Sequence, residues 1–378
     1  MRKTLLGAIS PEEFLREYWQ KKPLLIRQAW TDFPEIIDYA RLAELAERDD
    51  VQSRLIEYKN ERWKLESGPF TPSRLKRLGE TDWTILVQSV NHLVPHISEL
   101  LYRFNFLPYT RLDDLMISYA PPGGTVGPHY DSYDVFLLQV GGKKRWQISS
   151  DDASGFIEDA PIRVLKDFNP EQEWILEHGD MLYLPPQYAH YGVALEPGMT
   201  YSIGFRAPKT QEIAVKFLEY LQDELCLDGM YADPDATVTS VPARIDEQFT
   251  DRISQMLQNI QWNDERVKDF IGRYFTEPPP HVFFDQTEEL LDFDDFAAAV
   301  ATSGVMLDLK SQMLYSDEAM FINGELLECP TEAINELQTL ANNRQLEAGV
   351  YTEGLIETLF TYYEYGYITL KPSSADAV

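Results

Sequence analysis

The sequence predicts an α+β protein built around a double-sheet β-barrel of the jelly-roll or cupin type, and three observations predict it. Between Asp114 and Ala207, short β-type runs are separated by Gly and Pro clusters with no helical pattern between them. On either side of that stretch, apolar residues recur at helical spacing. Beyond a proline run, Glu277-Pro278-Pro279-Pro280, a helix-and-hairpin order appears that has the layout of a winged helix.

Residues 1–90 read as mainly helical with a few short strands. Ser10 is placed to cap a helix that starts at Pro11, with Glu12 and Glu13 in its positive first turn. Phe14, Leu15, Tyr18 and Trp19 follow at helical spacing, and Lys21-Lys22-Pro23 ends the run. Leu24-Leu25-Ile26 reads as a buried strand, Leu42, Leu45 and Ala46 as a second helix, and Ser73 as the cap of a third.

Residues 91–208 carry the barrel, with strands expected at 115–119, 135–140, 143–148, 181–184, 191–195 and 201–205. Residues 209–276 return to helix, with one stripe at Ile213, Phe217, Leu218 and Leu221 and another at Ile253, Met256, Leu257 and Ile260. Those stripes exceed what one barrel face covers, so this region is expected to make a homodimer, with packing onto the C-terminal region as the rival. Residues 281–378 supply the winged-helix-like domain: a helix over 287–301, a hairpin at Asn323-Gly324, helices over 332–343 and 352–363, and a strand near 367–370. Its acidity argues against DNA and for a protein-contact or packing role.

The net charge of −29 opposes nucleic acid and anionic lipid, and makes any macromolecular substrate cationic by expectation. No apolar stretch reaches bilayer length, and the N-terminal residues have no signal-peptide pattern. Two isolated cysteines, Cys226 and Cys329, form no disulfide framework, so a reducing cytoplasm is the expected setting.

The chemistry concentrates in the barrel segment. Residues two apart on a strand share a face, so His129 and Asp131 can approach one point, and His190 follows in the run Gly179-Asp180 to His190. Two imidazoles and one carboxylate with open positions opposite is the ligand set of the non-haem Fe(II) oxygenases. On the strand from Lys143 to Ile148, alternation places Lys144 with Trp146 and Ile148 on the inner face. A buried ammonium calls for an anion. Beside an open metal triad, that anion is expected to be the far carboxylate of 2-oxoglutarate, with Ser118 and Ser202 as further hydroxyl donors. His92, His96, His178 and His281 are read as ordinary structural or surface residues, and Tyr133-Asp134 as either substrate contact or barrel packing.

Several segments together carry a resemblance: Pro121 to Gln139 around His129 and Asp131, the Lys144-Arg145-Trp146 strand, the Gly179 to His190 run, Tyr18 to Leu25, and Arg111 to Met116. They resemble the JmjC-type, cupin-fold ribosomal oxygenases, and within them the bacterial arginine hydroxylases of a large-subunit ribosomal protein of the L sixteen type. The resemblance covers the whole chain. It implies His129, Asp131 and His190 as ligands of Fe(II), Lys144 as the partner of the 2-oxoglutarate 5-carboxylate, and molecular oxygen as oxidant. It also implies a basic ribosomal protein as substrate, 3-hydroxyarginine with succinate and CO2 as products, and a dimer. Lys144 stands where many bacterial members have Arg, so the carboxylate meets a point charge here and not a bidentate fork. Histidine hydroxylation, lysine demethylation and a catalytically inactive binding module are the alternatives left open by sequence.

Overall fold

The computed structural model describes residues 5–150, 155–186, 188–285 and 290–372. They fall into two compact units: Met1–Ala207 with the short stretches 280–283 and 308–310, and the remainder from Pro208 onward.

In the first unit, α1 (Pro11–Glu17) starts as its sequence requires: the Ser10 hydroxyl accepts from the Glu13 N–H at 3.2 Å. It is followed by β1 (Leu24–Ile26) and α2 (Tyr39–Ala46), the latter capped by Asp38. The next stretch departs from the helical expectation. β2 (Ser53–Lys59), β3 (Arg62–Ser67) and β4 (Trp83–Val87) are strands, joined to the barrel through β5 (Leu112–Ala120). Long-range pairing gives these segments their hydrogen bonds, which local pattern cannot show. Between them, α3 (Pro72–Leu75) is capped by Thr71 and not by Ser73, because Pro72 takes the first helical position and sets the cap before itself. α4 (Pro95–Leu101) precedes β5.

The barrel continues with β6 (Asp134–Val140), β7 (Lys143–Ser149), β8 (Gln172–Glu177), β9 (Met181–Leu184), β10 (Ala189–Ala194) and β11 (Gly198–Phe205). An eight-stranded sheet runs β1-β9-β6-β11-β5-β4-β2-β3, and a three-stranded sheet runs β10-β7-β8. All the pairings are antiparallel. The apolar run of β6 is explained by burial of both its faces. Phe136 and Leu138 pack into the core shared with the helices, with Phe14, Leu42 and Phe205. Val135 and Leu137 face the other way, into a smaller core with Trp146, Ile148 and Leu176.

In the second unit, α5 (Thr210–Glu224), α6 (Glu247–Gln258) and α7 (Asp264–Thr276) carry the helices expected within 209–276, while residues 225–246 between α5 and α6 are not helical. α8 (Phe293–Ser303) matches the helix expected over 287–301, whose start at 287–289 lies outside the described residues. β12 (Val305–Leu307), β13 (Met313–Tyr315), β14 (Met320–Ile322) and β15 (Glu325–Leu327) follow, with Asn323-Gly324 as the β14–β15 turn. α9 (Ile334–Asn343), β16 (Gln345–Leu346), α10 (Glu353–Glu364) and β17 (Ile368–Leu370) complete the winged-helix layout. Its core joins Phe296, Val300, Leu337, Leu340, Leu355 and Leu359. Among the described residues, no helix is long and apolar enough to cross a membrane.

Candidate active site

His129 and Asp131 lie on the segment that enters β6, and His190 lies on β10 of the smaller sheet. A reciprocal backbone pair joins them: His129 N–H donates to His190 O at 3.0 Å, and His190 N–H to His129 O at 2.7 Å. The rings therefore sit 4.2 Å apart between centroids. Asp131 Oδ2 lies 3.7 Å from His190 Nε2, and donor atoms of all three residues fall within 4.8 Å of one another.

The tautomers are dictated by the backbone. His129 Nδ1 is 3.0 Å from Gly127 O, and His190 Nδ1 is 3.0 Å from Tyr188 O. A carbonyl oxygen only accepts, so each Nδ1 carries the proton and each Nε2 presents its lone pair. Burial, then His129, pushes the His190 imidazole down to about 4, which keeps it neutral near pH 7. Two imidazoles that turn Nε2 toward Asp131, oriented from behind by carbonyls, fit a divalent ion with positions to spare. Gly127 is part of this device. Its φ is +81°, and a Cβ there would lie 3.0 Å from the Trp63 ring and from Val164.

The triad opens on a cavity of about 470 Å³ between the two sheets. Lys144 of β7 points into it, as the alternation required. Its Nζ donates to Thr200 Oγ1 at 3.0 Å and lies 4.6 Å from the Trp146 ring centroid, whose own neighbour is His190 at 5.9 Å. An ammonium has three donors, and Thr200 takes one. Burial pushes this group down to about 8, and among the described residues no carboxylate acts on it. The opposite wall is polar where Ser118 of β5 and Ser202 of β11 line the same cavity, both buried. Ser118 Oγ donates to Thr200 O at 3.5 Å. A buried cation short of partners, with hydroxyls around it, fits a carboxylate.

Sequence reading missed Thr200, the residue that touches Lys144 directly. The signal was present: Thr200 is two positions before Ser202 and shares its inward face. Tyr133 also lines the cavity. Its phenol is pushed up by burial first and then by the charges of Asp131, Asp114 and Asp113. The neighbouring Asp134 is structural: fully buried, it accepts from Tyr183 Oη at 2.6 Å, Gln20 Nε2 at 2.9 Å and Arg111 Nη2 at 3.2 Å. Asp180 is likewise a scaffold residue, taking the N–H groups of Gln28 and Glu177 and the Arg27 guanidinium. His178 is tied to Gly141 N and Phe33 O, away from the triad.

Comparison with known proteins decides the family. A JmjC-domain model matches residues 99–213, and a ROXA-like winged-helix model matches residues 256–369. The chain is 33% identical to the ribosomal protein uL16 3-hydroxylase of Escherichia coli over 352 residues, 92% of this chain and 93% of the relative. It belongs to the JmjC-type ribosomal oxygenases. A probable ribosomal oxygenase of Haemophilus influenzae is 32% identical over 85% of this chain and 82% of its own length. The structure of YcfD, a ribosomal oxygenase from Escherichia coli, in complex with cobalt and 2-oxoglutarate superposes with a TM-score of 0.82 at 31% identity. That match covers 97% of this chain and 99% of the other. The ribosomal-oxygenase fold thus accounts for the barrel, the three-helix stretch and the winged helix together.

Proposed function

We propose that this ribosomal oxygenase is an Fe(II)- and 2-oxoglutarate-dependent hydroxylase whose substrate is an arginine side chain of a large-subunit ribosomal protein, giving 3-hydroxyarginine. The observation that carries the reading is one cavity holding both a His-Asp-His set with free Nε2 lone pairs and a buried, partner-poor ammonium. His129, Asp131 and His190 hold the metal on one face, and Lys144 receives the far carboxylate of the co-substrate, with Ser118 and Ser202 lining its berth. When bound, ferrous iron couples the oxidative decarboxylation of 2-oxoglutarate by O2, to succinate and CO2, with hydroxylation of the substrate carbon.

The protein's own contribution is placement and exclusion of water. Leu137, Trp146 and Val135 give the cavity an apolar floor. The carbonyls of Gly127 and Tyr188 fix the imidazole planes before any ligand arrives. The carboxylates that act on Tyr133 make its side of the cavity favourable for a guanidinium.

The same reading includes a cytoplasmic homodimer formed through residues 209–276. Leu218 on α5 and Leu257 on α6 are 61% and 59% exposed within the chain, a cost that a second copy removes. The winged-helix-like domain is not a DNA reader: residues 281–378 hold 18 Asp and Glu against 3 Lys and Arg. Incubation with purified ribosomal proteins, Fe(II), ascorbate and 2-oxoglutarate, followed by mass spectrometry, tests the activity. One added oxygen on an arginine of a large-subunit protein is expected. The same gain on histidine, or loss of methyl from lysine, moves the assignment to those chemistries. Failure to produce succinate with any ribosomal protein leaves a binding module.

A further inference from the structure

Gln139 is 1% exposed, and strand alternation puts it on the face of β6 from which Val135 and Leu137 line the cavity, one step beyond the lining itself. A buried primary amide on an otherwise apolar strand face calls for a reason. Its Nε2 donates to Gly141 O at 2.8 Å, which fixes the amide orientation and leaves Oε1 as an acceptor. That oxygen lies 3.4 Å from Thr200 Oγ1, directly across the β6–β11 pairing. A hydroxyl has a single proton. Given to Gln139, it leaves the Thr200 lone pairs for Lys144 Nζ at 3.0 Å. Each link thus has one polarity, running from the Gly141 carbonyl to the ammonium.

We infer that Gln139 is a positioning residue for the co-substrate cation, acting through Thr200 to keep Lys144 anchored and protonated before the co-substrate binds. The inference rests on Lys144 being the carboxylate partner proposed above. Without the relay, the Thr200 hydroxyl is free to turn its proton toward Lys144, which opposes the ammonium. Burial already pushes that group down to about 8, so losing its fixed acceptor brings deprotonation into the working pH range. Among the described residues, burial is what acts on the Lys144 ammonium itself, and His190 of β10 is a titratable group within its electrostatic reach. Thr200 and Ser202 from β11, Ser118 from β5 and Gln139 from β6 carry no charge.

The test measures equilibrium binding of 2-oxoglutarate to the Mn(II)-loaded full-length protein by calorimetry between pH 6.5 and 9.5. Three variants are compared with wild type: Gln139→Leu, Gln139→Glu and Lys144→Met. Gln139→Leu is expected to weaken binding about three- to tenfold at pH 7.5, the range of one neutral hydrogen bond, and to start the alkaline loss of affinity at lower pH. Gln139→Glu, which places a carboxylate beside the relay, is expected to move that onset to higher pH. Opposite displacements separate an electrostatic relay from simple packing damage, and Mn(II) affinity reports that the triad is intact. Lys144→Met losing the co-substrate while both Gln139 variants keep the wild-type onset overturns the relay and leaves the carboxylate assignment standing. Lys144→Met retaining full affinity removes the assignment beneath it.

Discussion

Replacing Lys144 with Met is expected to make the empty protein more stable while abolishing its stabilisation by 2-oxoglutarate. Burial depresses this ammonium from an ordinary 10.5 to about 8. Between those values the unfolded chain holds a proton that the native protein has lost, so stability rises with pH there. The burial penalty is therefore complete below pH 8 and fades as pH climbs toward 10.5. The difference is worth about 3 kcal/mol. Methionine is unbranched and uncharged, so it occupies the same channel without that penalty. It leaves Thr200 Oγ1 without its donor, a cost of about 1 kcal/mol. The balance is a gain of about 2 kcal/mol at pH 7 that shrinks to nothing before pH 10.5, where the lost hydrogen bond leaves the variant slightly less stable than wild type. Urea denaturation at the two pH values, with and without 2-oxoglutarate on the Mn(II)-loaded protein, reads both effects. A variant no more stable than wild type at pH 7, or one still stabilised by 2-oxoglutarate, refutes the account of a cation buried to await an anion.

Asp131→Ala removes the carboxylate arm of the triad and is expected to weaken Mn(II) binding by more than the roughly 10- to 100-fold that loss of an outer-shell partner costs; spin resonance of free Mn(II) measures it. Asp134→Ala strips Tyr183, Gln20 and Arg111 of their shared acceptor and is expected to destabilise by about 3 kcal/mol. Unchanged denaturation midpoints for that variant would mean the buried charge is not an anchor. Glutamate at both Leu218 and Leu257 is expected to halve the mass seen by light scattering. A wild-type protein already monomeric there counts against the dimer.

The triad was legible because its signal is local: two residues apart on one segment, then a third histidine inside a strand-like run. Lys144 was legible for a related reason, since period-2 alternation beside Trp146 and Ile148 fixes its direction. What stayed hidden depends on pairing across the sheets. Strands β2 to β4 owe their state to a chain of partners that ends on β5, some fifty residues away. Thr200 and Gln139 look like ordinary barrel residues until register sets them opposite each other and beside β7. Asp134 invited a substrate role by standing next to Tyr133, yet strand alternation turns it out of the cavity and onto Tyr183. In each case the missing information was a contact between residues far apart in sequence.

The charge distribution puts two conflicting demands at different depths. A chain of net charge −29 repels a small dianion in solution, and it attracts a basic ribosomal protein. Exposed charges are screened over about 8 Å at physiological ionic strength, while a buried pair is screened far less. On the proposed assignment of Lys144, one ammonium in the cavity wall is therefore expected to outweigh many surface carboxylates for a ligand that has already entered. The acidic surface keeps its effect on the larger partner during encounter. This separation predicts opposite salt responses. Added salt is expected to slow encounter with the basic protein substrate, and to leave 2-oxoglutarate affinity nearly level or slightly improved. Equal weakening of both by salt would place the co-substrate's cation at the surface, in contradiction to the buried position of Lys144.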